Sequence, residues 1–280
     1  MEPVFRKYLI TGAGRGIGRG LARNLLAEGH HVFLLDSNKA ELDNTLKLCS
    51  TWSHLSPFKG SVVDLSDRLA VKKAVQEAGQ WFGGSLDVLV NNAFATPHTW
   101  ADGKGMEDDP DSDDILDQWD LKIAVGLTAP FLLSRLCVPL LKKGQTGTRD
   151  DPGPGCIINI ASTRAYMAED NHEAYSAAKG GILGLTQSSS ISLGHRHGIR
   201  VNAILPGWIS IDNENAEADK RGTNWTEGMS ESDHKWHPAG RVGRVEDVTK
   251  TVNHLAASTF MTGAEITLDG GVTRKMVYPE

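Results

Sequence analysis

The sequence predicts an α/β protein of the Rossmann type: a doubly wound, seven-stranded parallel sheet with helices on both faces, in a single domain spanning 1–280. Three observations predict it. Seven short β-like runs alternate with longer amphipathic stretches in a βαβ rhythm. The runs are nearly continuous in apolar residues, as strands covered on both faces must be. A glycine-rich turn lies between the first run and the first helical stretch. With 280 residues, 40% of them hydrophobic and 23% charged, the chain can bury one large core.

The first strand is expected at Tyr8–Ile10, followed by the glycine turn and a helix over Gly16–Glu28. A second strand, His31–Leu35, closes on Asp36, and Ser37 or Asn38 can cap the next helix, Lys39–Leu48. Phe58–Val63 and Leu86–Val90 are the third and fourth strands, with a helix over Asp67–Trp81 between them. A long helix is expected over Ile115–Leu141, a fifth strand at Ile157–Ile160 and a helix over Glu173–His195. Arg200–Leu205, a helix over Val245–Ala256 and Glu265–Leu268 complete the series. Three segments break the rhythm: an acidic connection over 94–118, a Gly/Pro/Asp-rich loop over Gly144–Gly155, and a long irregular segment over 208–240. Loops as long as the last are usually functional lids or mobile insertions.

Composition narrows the function. A net charge of −6 argues against a nucleic-acid binder. Most of that charge is local, since Asp102–Asp117 carries eight acids against Lys104 alone. That insertion reads as a solvated surface, with steering of a cationic partner as the sharper alternative. Three cysteines without a Cys-x-x-Cys pair fit a reducing compartment. The charged N-terminus leads directly into a strand, so no signal peptide is expected. The most apolar helical stretch, Phe131–Leu141, is too short to span a bilayer and carries Arg135. The expectation is a cytoplasmic protein without a membrane partner. His234 and His237 lack an acid or histidine cluster at ligand spacing, so no metal is expected. His30, His31, His195 and His197 read as surface or strand-edge residues.

The turn Thr11-Gly12-Ala13-Gly14-Arg15-Gly16-Ile17-Gly18 does not fit G-x-G-x-x-G in any register, because Ile17, Arg19 and Leu21 stand at the would-be third glycines. It fits T-G-x-x-x-G-x-G through Gly12, Gly16 and Gly18. Such a turn lets the backbone approach a pyrophosphate, whose charge a helix N-terminus stabilises. Asp36, about 20 residues on, can accept the ribose hydroxyls. A 2′-phosphate there would meet like charge, worth on the order of 4 kcal/mol at ~4 Å and an effective dielectric near 20. Asp36 therefore favours NAD over NADP, while Arg15 argues for NADP. Asp64-Leu65 at the third strand end can face the adenine, and Asn91-Asn92-Ala93 at the fourth can lie along the ribose.

Tyr175 and Lys179 share one helix face, four residues apart, and Ser162 ends the fifth strand. A phenol near pKa ~10 exchanges protons poorly at neutral pH. A neighbouring ammonium favours the phenolate, and a serine can hold the substrate oxygen beside it.

With these residues assembled, the chain resembles the short-chain dehydrogenase/reductase family, in its single-domain branch. The resemblance runs from about Tyr8 to Gly271. It rests on the 11–18 turn, Asp64-Leu65, Asn91-Asn92-Ala93, Ile158-Asn159-Ile160-Ala161-Ser162, Tyr175-Ser176-Ala177-Ala178-Lys179, Pro206-Gly207, the 237–244 segment and Asp269-Gly270-Gly271. It implies Tyr175 as acid/base, Ser162 orienting the substrate oxygen, and Lys179 on the nicotinamide ribose. It also implies Ile209 meeting the carboxamide through its backbone, and assembly as a homotetramer or homodimer. Three residues depart from the pattern: Phe94 stands where Asn-Asn-Ala-Gly ends in glycine, and Gly126 where the family usually carries a catalytic asparagine. Ile211 stands where a threonine is often found, with Ser210 the nearest hydroxyl.

The expectation is an NAD-dependent oxidoreductase interconverting a secondary alcohol (polyol, sugar, steroid or other hydroxy compound) and its ketone. The alternatives are a catalytically impaired NAD-binding regulatory or scaffold protein and an NADP-linked carbonyl reductase. Trp208, Trp225, Met229 and Trp236 fall in the segment that family members fold over substrate, where they either line an apolar or sugar-like pocket or pack between loop helices or subunits.

Overall fold

The computed structural model describes residues 5–53, 55–144, 146–147 and 152–276. The main strands are β1 (Lys7–Thr11), β2 (His31–Asp36), β3 (Phe58–Val62), β4 (Val88–Asn91), β5 (Cys156–Ile160), β6 (Arg200–Pro206) and β7 (Glu265–Leu268). They form one parallel sheet in the order β7-β6-β5-β4-β1-β2-β3, so the expected fold class is what the chain adopts. The order reverses between β1 and β4, where Leu9 pairs with Phe33 on one side and Leu89 on the other. At such a switch point two connections diverge and leave a crevice at the carboxyl edge.

Alternation along each strand divides the core. Tyr8 and Ile10, Val32 and Leu34, Val88 and Val90 face one cluster; Leu9, Phe33, Leu35 and Leu89 face the other. The first cluster is closed by α1 (Gly16–Ala27), α2 (Lys39–Trp52) and a helix over Val245–Ala257. The second is closed by α3 (Arg68–Trp81) and the long helix before β5. Asn38, not Ser37, caps α2 by accepting the Glu41 N–H. Leu86 lies outside β4 because its N–H goes to the Leu140 carbonyl.

The expected helix over Ile115–Leu141 is found as α4 (Asp114–Ile123), one π-helical turn over Ala124–Thr128, and α5 (Ala129–Leu141). Across the wide turn the Ala129 N–H donates to the Ala124 carbonyl. The expectation drawn from Phe131–Leu141 understated this element. The continuous helix Asp114–Leu141 is, by length and composition, long and apolar enough to cross a membrane, with a mean hydropathy of 1.7 in its most apolar window. Its apolarity has two sources: Leu133, Cys137 and Leu141 are core, while Leu116, Leu121 and Phe131 stay exposed.

Between β5 and β6 runs α6 (Glu173–His197). The segment over 208–240 is less irregular than expected, since it folds into two short helices, α7 (Ala216–Arg221) and α8 (Glu231–Trp236). A reciprocal box between Ser230 and Asp233 starts α8. The helix over Val245–Ala257 is α9. In the acidic connection Lys104 pairs with Asp109 and Asp114 at 3.4 and 2.9 Å. Of the Gly144–Gly155 loop, residues 145 and 148–151 lie outside the described residues, as do residues 1–4 of the N-terminus.

One histidine expected at the surface is buried. His30 is 7% exposed and its Nδ1 accepts the Arg6 N–H at 3.1 Å. Burial, then the charges of Arg6 and His31, lowers its pKa from 6.5 to about 4. Below pH 6.5 the unfolded chain binds a proton that the folded chain refuses, so stability falls from pH 6.5 down to about 4. The shift corresponds to at most about 3 kcal/mol. Chemical denaturation at pH 7 and pH 5 is expected to show a larger loss in the wild type than in His30→Gln.

Candidate active site

The glycine turn is fixed by close approach. Gly12 has φ +63°, and a Cβ there would lie 2.8 Å from Ala93 Cα. A Cβ on Gly18 would fall 2.7 Å from Asn92 Nδ2 and closer still to the Gly12 carbonyl. Asn92 donates its amide to the Thr11 and Gly12 carbonyls at 2.9 and 3.2 Å. The Asn92 and Ala93 N–H groups reach Thr11 Oγ1. Thus β1 and β4 hold the turn open as a cradle at the switch point.

Asp36 ends β2 beside it, and its carboxylate accepts the Gly14 N–H and the Asn38 N–H, each at 2.8 Å. Arg15 reaches the other way, donating to Thr96 Oγ1 at 2.6 Å. Ile17 packs partly buried against the core, and Leu65 is buried. Asp64 Oδ1 accepts from the N–H and hydroxyl of Ser66. Asn91 differs from the expectation: it turns into the sheet, its amide donating to Asn159 Oδ1 at 2.8 Å and Ser134 Oγ at 3.4 Å. Its Oδ1 is buried without a hydrogen-bond partner. The β4 end therefore faces the cradle through Asn92 and Ala93.

A clasp that no local pattern announced covers the turn. The Gly16 N–H donates to the Glu214 carbonyl at 2.8 Å. The Glu214 carboxylate, only 2% exposed, meets Arg19 at 3.4 Å and Arg23 at 2.6 Å. Burial raises the Glu214 pKa while Arg23 and Arg19 oppose the rise. Arg19 also pairs with Asp219 at 2.6 Å, so the residue at a missing third glycine anchors the segment beyond β6.

Ser162, Tyr175 and Lys179 come together at the end of β5 and on α6. The Ser162 hydroxyl acts on the Tyr175 phenol to lower its pKa and accepts the Arg164 N–H at 3.1 Å. Lys179, 4% exposed, donates from Nζ to the Ile160 carbonyl at 2.7 Å and lies 5.5 Å from the Tyr175 ring centroid. The electrostatics differ from the expectation. Burial pushes the Tyr175 phenol up, against lowering by the Ser162 hydrogen bond and Arg164. Burial pulls Lys179 down to about 8. The ammonium is committed to a backbone carbonyl, so here desolvation governs the phenol and not the nearby cation.

Sequence reasoning missed His98. Its imidazole stacks on Tyr175 with centroids 4.4 Å apart, and Phe94 meets Tyr175 edge-on at 4.7 Å. Desolvation, then Lys179, His172, Arg15 and Lys122, lowers His98 to about 4, so it is neutral at physiological pH. Trp100 Nε1 donates to Glu173 Oε2 at 2.8 Å and pins this segment to the start of α6. The only available signal was position: His98 follows closely on a strand end at the sheet's carboxyl edge.

Pro206 ends β6 and Gly207 follows it, where an added Cβ would lie 2.8 Å from Asp269 Cβ. Ile209 is buried and pairs with Gly243. Trp225 contacts His234 and lies under Arg244, while Trp236 lies under Lys275. Trp208 in turn lies 6.0 Å from the His237 ring, so all three tryptophans have packing partners, while Trp208 and Trp236 stay about half exposed. Among the described residues, no group of three or more His, Cys, Asp or Glu side chains lies together as a metal site.

A family model described as enoyl-(acyl carrier protein) reductase matches residues 12–273. An uncharacterized oxidoreductase of Thermotoga maritima is 36% identical over 277 residues, 97% of each chain. The mouse (3R)-3-hydroxyacyl-CoA dehydrogenase is 31% identical over 271 residues, 94% of this chain and 95% of its own. Among solved structures, an apo SCOR enzyme from Clostridium thermocellum shares 33% identity at a TM-score of 0.77, covering 98% of this chain and 96% of that one.

Proposed function

The chain belongs to the short-chain dehydrogenase/reductase family, and from that premise we propose that it is an NAD-dependent oxidoreductase interconverting a secondary alcohol and its ketone. The observation that carries the reading is the gathering of Ser162, Tyr175 and Lys179 at the same sheet edge as the glycine cradle. Two hydroxyls converging on one point suit a substrate oxygen that must be held and protonated.

The cradle's lack of side chains fits a dinucleotide. Gly12, Gly16, Ile17 and Gly18 would hold the pyrophosphate, Asp36 the ribose hydroxyls, Asp64 and Leu65 the adenine, and the backbone of Asn91 and Ala93 the neighbouring ribose. Lys179 would hold the nicotinamide ribose, and Pro206, Gly207 and Ile209 the nicotinamide side. Bound there, the cofactor accepts or supplies the hydride. In reduction Tyr175 Oη gives its proton to the carbonyl oxygen; in oxidation the phenolate takes the hydroxyl proton. Ser162 Oγ keeps that oxygen beside Oη in both directions.

The same reading includes assembly as a homodimer or homotetramer, supported by the exposed Leu116, Leu121, Phe131 and Ile191 on helices α4 to α6. It also includes residence in the cytoplasm, in keeping with three buried free thiols. The test is an NADH fluorescence titration followed by a screen of secondary alcohols, polyols and hydroxysteroids at alkaline pH. Reduction of NAD with one of them, abolished in Tyr175→Phe, is the expected result. A second reading, a dinucleotide-binding scaffold without turnover, is favoured by Phe94 and Gly126. It would be supported by tight NADH binding with no turnover across the panel.

A further inference from the structure

Two departures in the sequence prove to be one feature. Gly126 lies in the π-helical turn, and a Cβ on it would fall 2.7 Å from Phe94 Cδ2, nearer still to Cε2, and 3.1 Å from Ala178 Cβ. No side chain fits at 126 while the ring is in place. That ring meets the Tyr175 phenol ring edge-on at 4.7 Å and presents its face to Lys179 Nζ at 5.3 Å. The ammonium therefore faces a pair of mutually contacting aromatic rings, with the Ile160 carbonyl as its hydrogen-bond acceptor. A cation within about 6 Å of a ring centroid is attracted to the face, most strongly where water is excluded.

We propose that Phe94 is a positioning residue: admitted by Gly126, its ring holds the Lys179 ammonium and the Tyr175 ring in register, filling the place of a side chain from the long helix. The inference rests on the reading that Tyr175 and Lys179 are the reacting pair. The ring has two separable effects. Its volume keeps water from Lys179, which disfavours the cation; its face attracts the cation. Tyr175, on its own helix, lies beside the ammonium, and His98, on the segment after β4, feels the Lys179 charge together with those of His172, Arg15 and Lys122.

The test is competitive acetylation of the whole protein with acetic anhydride between pH 6 and 10, reading the Lys179 peptide by mass spectrometry with Lys179→Arg as blank. Phe94→Leu keeps most of the volume and removes the face, so the Lys179 midpoint is expected to move below its wild-type value, near 8, by up to about tenfold in acid constant. Phe94→Ala admits water and is expected to move it in the opposite direction. If either variant titrates like the wild type, the ring is filler and the proposal fails. Thermal unfolding gives an independent check. Gly126→Ala is expected to lower Tm in the wild type and to cost little in a Phe94→Ala background; equal costs in both would also overturn the proposal. The labelling uses neither substrate nor cofactor. An enzyme that turns over nothing would sink the oxidoreductase reading while Lys179 still shifts, and an unmoved Lys179 in an active enzyme would do the reverse.

Discussion

Tyr175→Phe is expected to lower kcat by about a thousandfold in either direction while NADH binding is retained. The substitution removes one oxygen and keeps the ring that packs against Phe94 and His98, so the fold has little to lose. Because burial raises the phenol's pKa, Oη carries its proton at neutral pH and is ready to donate in reduction. Oxidation needs the phenolate, so its kcat/KM should climb as pH rises, while reduction, which needs the phenol, should stay nearly level over the same range. Steady-state rates with NAD and NADH across pH 6 to 10 check both slopes. A residual rate in Tyr175→Phe close to the wild type would remove the phenol from the chemistry.

Asp36→Asn is expected to produce the largest change in cofactor choice. The charge that would oppose a 2′-phosphate is worth on the order of 4 kcal/mol before relaxation, so removing it should shift the NADPH-to-NADH affinity ratio by roughly a hundredfold or more. Asparagine keeps an oxygen for the Gly14 or Asn38 N–H that Asp36 now serves, so the turn should persist. Fluorescence titrations of both reduced cofactors against both proteins decide it. If the wild type already prefers NADPH, the argument from Asp36 is wrong and Arg15 governs.

The strands were legible because a parallel sheet buries both faces. Runs such as Val88–Asn91 and Cys156–Ile160 are almost wholly apolar, and polar residues follow at the edge where ligands bind. Ser162, Tyr175 and Lys179 were legible because helix periodicity and a strand end suffice to bring them close. What stayed hidden depends on pairs distant in sequence. Glu214 is defined by Arg19 and Arg23, nearly two hundred residues earlier. His98 is defined by the Tyr175 ring on α6. His30 looked like a strand-edge residue, yet the Arg6 backbone takes its imidazole inward. Phe94 and Gly126 were each visible as exceptions. A bulky residue gained at one and a side chain lost at the other is a compensating change in volume, but only the folded chain shows that they share one space.

The Glu214 clasp bears on how nucleotide arrives. A helix N-terminus attracts phosphate through free amides, yet the Gly16 amide is already spoken for by a backbone carbonyl whose segment two arginines tether. On the dinucleotide reading, a phosphate oxygen seeking that amide must evict the carbonyl first. Capture then becomes an exchange in two stages, docking and unfastening, and its observed rate levels off at the speed of unfastening however much nucleotide is supplied.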